Sequence, residues 1–123
     1  MHSPAFTKKV SPPAVFDGGY LGHSEVLAAF DGALQSLKNA LYYSAVGNKG
    51  GRTASLQDCQ NRLRRLAASI EPDPAVPASE NLARLLHFIV FSLDSAMRTG
   101  KSSPVNEAAA MLQPIRETFA SMT

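Results

Sequence analysis

The sequence predicts an all-α protein, an antiparallel up-down-up-down four-helix bundle that follows an irregular N-terminal arm. Beyond residue 22, apolar side chains recur at steps of three and four residues in four separate segments, which is the spacing of amphipathic helices. Short stretches rich in Gly or Pro separate these segments, and short connections join helices as antiparallel neighbours. The 123 residues, 45% apolar and 18% charged, match one soluble domain with a single core.

The arm, residues 1–22, mixes Pro and Gly with scattered aromatic residues and shows no alternation typical of a strand. We therefore expect a flexible arm and place the bundle in residues 23–123. No stretch has the roughly 20 consecutive apolar residues that cross a bilayer, and the first residues lack the apolar core of a signal peptide. A cytoplasmic location without membrane insertion is the expectation.

The first helix is predicted over about residues 24–46 and should end near Gly47, with residues 48–51 forming a turn. The second helix, about 54–70, would be capped by Thr53 or Ser55 and stopped by the prolines that follow. The predicted core positions of these two helices are Val26, Leu27, Phe30, Leu34, Leu37 and Leu41, then Leu56, Cys59, Leu63, Leu66 and Ile70.

The third helix, about 79–99, would be capped by Ser79 and end at Gly100. The fourth, about 104–121, would begin with Ser103 as cap and Pro104 in the first turn, and Pro114 lies on its solvent side. The predicted core positions here are Leu82, Leu86, Ile89, Leu93 and Ala96, then Val105, Ala108, Leu112, Ile115, Phe119 and Met122.

The residues that usually carry chemistry are too sparse to converge on a catalytic or metal site. Cys59 falls on the apolar stripe of the second helix, which favours a buried structural thiol, and His87 falls on a polar face, which favours a solvated histidine. The sequence therefore predicts no enzyme activity, no cofactor and no metal.

Charge offers little support for nucleic-acid binding. The net charge is +2. The basic run around Arg62 has an intrahelical partner in Asp58 four residues earlier, and it lacks interleaved aromatic residues that would stack on bases. We predict a solvated face there and no nucleic-acid partner.

Surplus apolar side chains on the third helix are the most informative feature for function. Phe91 falls roughly opposite the predicted core and Phe88 well to one side of it, with Leu85 and Val90 nearby. Burying a Phe gains about 1.5–3 kcal/mol, so we expect something to cover these rings. The sequence leaves two covers open, which are the arm, through residues such as Phe16 or Tyr20, and a helix of a partner protein. A weak homodimer through Phe88 and Phe91 is also left open.

Three stretches resemble the FliS family of flagellin export chaperones. The run Phe30, Asp31, Gly32, Ala33, Leu34 resembles that family's aromatic-Asp-Gly-Ala-aliphatic signature in its first long helix. Asn81 and Leu82 resemble the family's Asn-Leu pair after the central loop, and the spacing from Gly100 to Phe119 resembles the end of its chains. The chain departs from the pattern at Phe119, where a Trp is common, and along the third helix, where Phe88 and Phe91 stand.

The resemblance implies a cytoplasmic chaperone without enzyme activity. Members of the family bind the disordered C-terminal segment of flagellin on apolar grooves of the bundle and prevent premature polymerisation before secretion. Their N-terminal segment can lie over part of the groove, a role that would fall here to Phe16 and Tyr20. The alternative is a helical adaptor or secretion chaperone that uses the same bundle for a different client protein.

Overall fold

The computed structural model describes residues 22–70 and 77–121, and these residues form four α-helices and no strand. The helices are α1 (His23–Ala45), α2 (Lys49–Ala68), α3 (Pro77–Thr99) and α4 (Ser103–Ala120). Helix α1 packs against α2 and α4, and α3 packs against the same two helices. The helices therefore follow one another around the bundle in chain order, which confirms the predicted all-α four-helix bundle.

The connection between α1 and α2 is shorter than predicted. Gly47 has a positive φ of 77° and ends α1 as expected. However, the Asn48 side chain accepts a hydrogen bond of 2.8 Å from the Gly51 amide, so α2 begins at Lys49 and not near residue 54. The prediction that residues 48–51 form a turn was wrong. Gly51 lies within the first turn of this helix, and the position requires a glycine because a Cβ would come within 2.6 Å of the Tyr43 ring.

Two other helix starts also differ from the prediction. Helix α3 begins at Pro77, so Ser79 lies inside the first turn and is not the cap; a proline suits this position because it has no amide hydrogen to leave unpaired. Helix α4 has Ser102 as its N-cap and Ser103 as its first residue. Pro114 is exposed within α4, as predicted.

The core contains most of the predicted positions. Every predicted core residue of the second helix is buried, including Ile70, which lies two residues beyond the end of α2. Leu27, Leu41, Leu82 and Ile115 are only partly buried and pack against the core. Met122 lies outside the described residues. The buried apolar residues that the periodicity did not predict are Ala33, Ala40, Ala67 and Val90.

Candidate partner-binding surface

The outward side of α3 carries two large exposed rings. Phe88 is 55% exposed and Phe91 is 66% exposed, which confirms that neither belongs to the core. Residues three apart on a helix are neighbours on its surface, so the two rings form one patch. Leu85 is partly buried against the core and lies one turn before Phe88. We call Leu85, Phe88 and Phe91 the α3 apolar face.

Val90 does not belong to this face. The sequence grouped it with the partner-binding residues, but its side chain is only 8% exposed and packs in the core. The reason is its position four residues after Leu86 and three before Leu93, both fully buried, which places it on their side of the helix. Phe16 and Tyr20 lie outside the described residues, so their predicted contact with this face stays a prediction.

A second exposed apolar pair lies at the C-terminal end of α1, and the sequence analysis did not find it. Tyr42 and Val46 are both more than half exposed, and the Tyr42 ring meets Tyr43 edge-on with 5.6 Å between ring centroids. The two residues are four apart, so they are neighbours on the helix surface, and this spacing could have predicted the pair from the sequence.

The residues of the predicted family signature hold the helices together. Arg116 of α4 binds Asp31 through two hydrogen bonds of 2.8 and 3.2 Å, which ties α1 to α4. Phe30 is fully buried, with 6.5 Å between its ring centroid and that of Phe119. The His23 ring stacks on Phe119 from the first residue of α1, with centroids 4.5 Å apart. These residues therefore support the bundle from inside and at its seams.

Gly32 allows α2 to approach α1 closely. A Cβ at this position would lie 2.8 Å from Arg62 Cζ, so the guanidinium occupies the space that a side chain would need. Arg62 Nε in turn donates a 2.8 Å hydrogen bond to Asp58, and the Ser36 hydroxyl of α1 donates to the same carboxylate. The hydrogen bonds from Arg62 and then Ser36 lower the pKa of Asp58, which keeps this link charged.

The Asn-Leu pair near the start of α3 is divided between surface and core. Asn81 is exposed and accepts a 3.2 Å hydrogen bond from Arg84 of the next turn. Leu82 is partly buried and packs against the core. This pair also serves the fold, so within the described residues the exposed rings of the predicted site are those of Phe88 and Phe91 on the α3 apolar face.

Cys59 is fully buried in the core, as predicted. Burial raises the pKa of its thiol from 9.0 to about 12. A thiol that stays protonated and shielded at neutral pH is a weak nucleophile, so Cys59 is not a reactive cysteine in the folded chain.

We expect the free energy of unfolding to fall as the pH rises from about 9 toward 12, because the unfolded chain loses the Cys59 proton first. Below pH 9 the thiol has no such effect, and above it the slope should approach ~1.4 kcal/mol per pH unit for this one group. Urea unfolding at several pH values measures it. Cys59→Ala is the control: if the variant loses stability with pH as steeply as the parent, the thiol is not responsible.

Within residues 22–70 and 77–121, no three His, Cys, Asp or Glu side chains are grouped so that they could hold a metal ion. His87 is exposed. In the same part of the chain, no helix combines the length and apolar character needed to cross a membrane.

Comparison with known proteins places this bundle in a family. Residues 22–123 match the family described as flagellar protein FliS, from the cap of α1 through the end of the chain. A search of curated proteins found no match to the chain. Because the family match covers the whole bundle and far more than half of the sequence, the chain belongs to the FliS family of flagellar chaperones.

Proposed function

We propose that this protein is a cytoplasmic flagellar export chaperone that binds the disordered C-terminal segment of flagellin and prevents its polymerisation before secretion. Membership of the FliS family supports the chaperone role in flagellum assembly. The observation that carries the binding site is the pair of exposed rings on α3, Phe88 and Phe91. We propose that the protein has no catalytic activity and uses no cofactor.

The two exposed rings offer apolar area that a client can cover. A buried Phe side chain contributes about 1.5–3 kcal/mol, and in the described part of the bundle these two rings remain more than half exposed. A chaperone needs such a surface, because its client must find apolar contact there that it would otherwise find in another copy of itself. An amphipathic client helix laid along α3 would cover both rings at once.

A disordered client also fits the size of this surface. Ordering a segment on binding costs several kcal/mol, so affinity stays moderate unless contacts extend along the bundle. A client that must be released for export needs such moderate affinity.

Calorimetric titration with the C-terminal segment of flagellin from the same organism tests the proposal, with a scrambled peptide as control. We expect saturable one-to-one binding, weakened about 10- to 100-fold by Phe91→Ala, since aromatic anchors carry most of the binding energy at such surfaces. Tyr42→Ala is the matched control, because Tyr42 is equally exposed but lies on α1. Its effect should be small by comparison.

Three other results would reject the client, change the binding site or show a homodimer. No heat and no complex on a sizing column would reject flagellin as the client and favour a helical adaptor for a different protein. Equal losses from Phe91→Ala and Tyr42→Ala would contradict a site confined to α3 and would extend it to the end of α1. A concentration-dependent shift of the free protein to a larger size, abolished by Phe91→Asp, would show that the α3 apolar face forms a homodimer.

A further inference from the structure

An open cleft lies at the end of the bundle where α1 turns into α2. It has a volume of about 450 Å³, with Tyr43 and Met97 among its walls. Lys49 from the first turn of α2 and Arg98 from the last turn of α3 also line it, and both are exposed. No acidic residue lines the cleft. We call this site the basic cleft.

A third cation lies against the cleft and is nearly buried. Arg52 is 8% exposed, and its Nη1 and Nη2 atoms donate hydrogen bonds of 3.0 and 2.7 Å to the carbonyl oxygens of Ala96 and Lys101. These acceptors are neutral, so they satisfy the guanidinium without cancelling its charge. The cleft therefore combines a buried cation with two exposed ones.

No carboxylate in the described part of the chain forms an ion pair with these cations; Asp94, one turn before Arg98, accepts a 2.8 Å hydrogen bond from the Gln60 side chain instead. The ion pairs there join Arg62 to Asp58, and Arg116 to Asp31 and Glu117, all away from the cleft. Uncompensated charges in a concave site attract a group of the opposite sign more strongly than isolated surface charges do. The chemistry of the cleft thus calls for an anionic ligand.

The cleft also continues the α3 apolar face. Arg98 follows Phe91 by seven residues, which is two helical turns and about 10 Å along the axis, on the same side of α3. A chain that covers Phe91 and runs toward the C-terminal end of α3 would reach Arg98 and then Lys49. This continuity favours an acidic segment of a protein over a free small anion.

We propose that the basic cleft binds an acidic stretch of the client protein, next to the apolar segment that covers the α3 apolar face. The inference rests on the proposed function for the identity of the client. Phe88 and Phe91 supply the apolar contact, and the cleft fixes the direction of the bound chain by its charge. Clients without acidic residues at that position would bind more weakly.

The test uses three peptides and two charge-reversal variants. The peptides are the flagellin C-terminal segment, a designed peptide in which leucines at helical spacing precede a Glu stretch, and its twin with Gln for Glu. The variants are Lys49→Glu with Arg98→Glu in the cleft, and Lys38→Glu with Arg64→Glu as a control of equal net charge at exposed positions outside it.

We expect the Glu peptide to bind the parent protein and the control variant alike, and the cleft variant at least about 10-fold more weakly. Its affinity should fall as salt rises from roughly 0.05 to 0.5 M, and the Gln twin should bind more weakly and respond less to salt. Circular dichroism confirms that both variants are folded. Inorganic phosphate should not compete at millimolar concentration.

The results separate the proposal of the basic cleft from the proposal that flagellin is the client. Absence of Glu-peptide binding, or equal affinity for the cleft and control variants, overturns the cleft even if flagellin binds. Competition by phosphate would reduce the cleft to a small-anion site. Cleft-dependent binding of the Glu peptide, with no binding of the flagellin segment, keeps the cleft and rejects flagellin as the client.

Discussion

Phe30→Ala is expected to lower the free energy of unfolding by about 3–5 kcal/mol, the cost of removing a large side chain from a packed core. The Phe30 ring is fully buried on α1 and lies near Phe119 of α4, so its loss leaves a cavity where these two helices meet. A domain of this size is stable by only about 5–15 kcal/mol, so the variant should be marginally folded. Urea unfolding followed by circular dichroism at 222 nm, a helix signal, measures the change.

Phe91→Ala is the matched control for this experiment because it removes the same side chain from a position that is 66% exposed. Its effect on stability should stay within about 0.5 kcal/mol. A loss as large as that of Phe30→Ala would mean that Phe91 is covered in the free protein. A loss below about 1 kcal/mol for Phe30→Ala would contradict the burial of Phe30 between α1 and α4.

The fold could be predicted because the apolar stripes are regular. The stripe of α2, from Leu56 to Ile70, has alternating steps of three and four residues, and all of its members are buried. The start of α2 could not be predicted the same way. Gly50 and Gly51 indicate a turn by composition, but the Asn48 cap starts the helix before them, and the close packing of Tyr43 leaves no room for a side chain at Gly51.

The site was predicted in part. A helical wheel finds Phe88 and Phe91 because it needs only the direction of the core. The same wheel would also have placed Val90 correctly, because Val90 follows Leu86 by four residues and precedes Leu93 by three, and both leucines are fully buried. The basic cleft was missed because its cations come from different helices. Arg52 carried a signal, since it precedes Leu56 by four residues and so continues the apolar stripe of α2.

Arg52→Met is expected to lower the free energy of unfolding by about 1–3 kcal/mol, although it replaces a buried charge with an apolar side chain of similar length. The reason is that Arg52 bonds the carbonyl oxygens of Ala96 and Lys101 where α3 ends and the chain turns into α4. Without Arg52, the partly buried Lys101 carbonyl loses this donor, and the buried Ala96 carbonyl keeps only the 2.9 Å hydrogen bond from the Gly100 amide. Urea unfolding measures the loss.

Two further variants separate this capping role from charge alone. Arg62→Met removes an arginine whose ion pair with Asp58 joins half-exposed side chains of one helix, so it should cost less than about 1 kcal/mol. Arg52→Lys keeps the charge but cannot donate to two separate carbonyls in the geometry of a guanidinium, so it should recover only part of the lost stability. Full recovery by lysine would assign the effect to charge, and no loss in Arg52→Met would show that the end of α3 is satisfied without Arg52. If the capping role holds, Arg52 has two functions, because the residue that closes α3 also gives the basic cleft its buried positive charge.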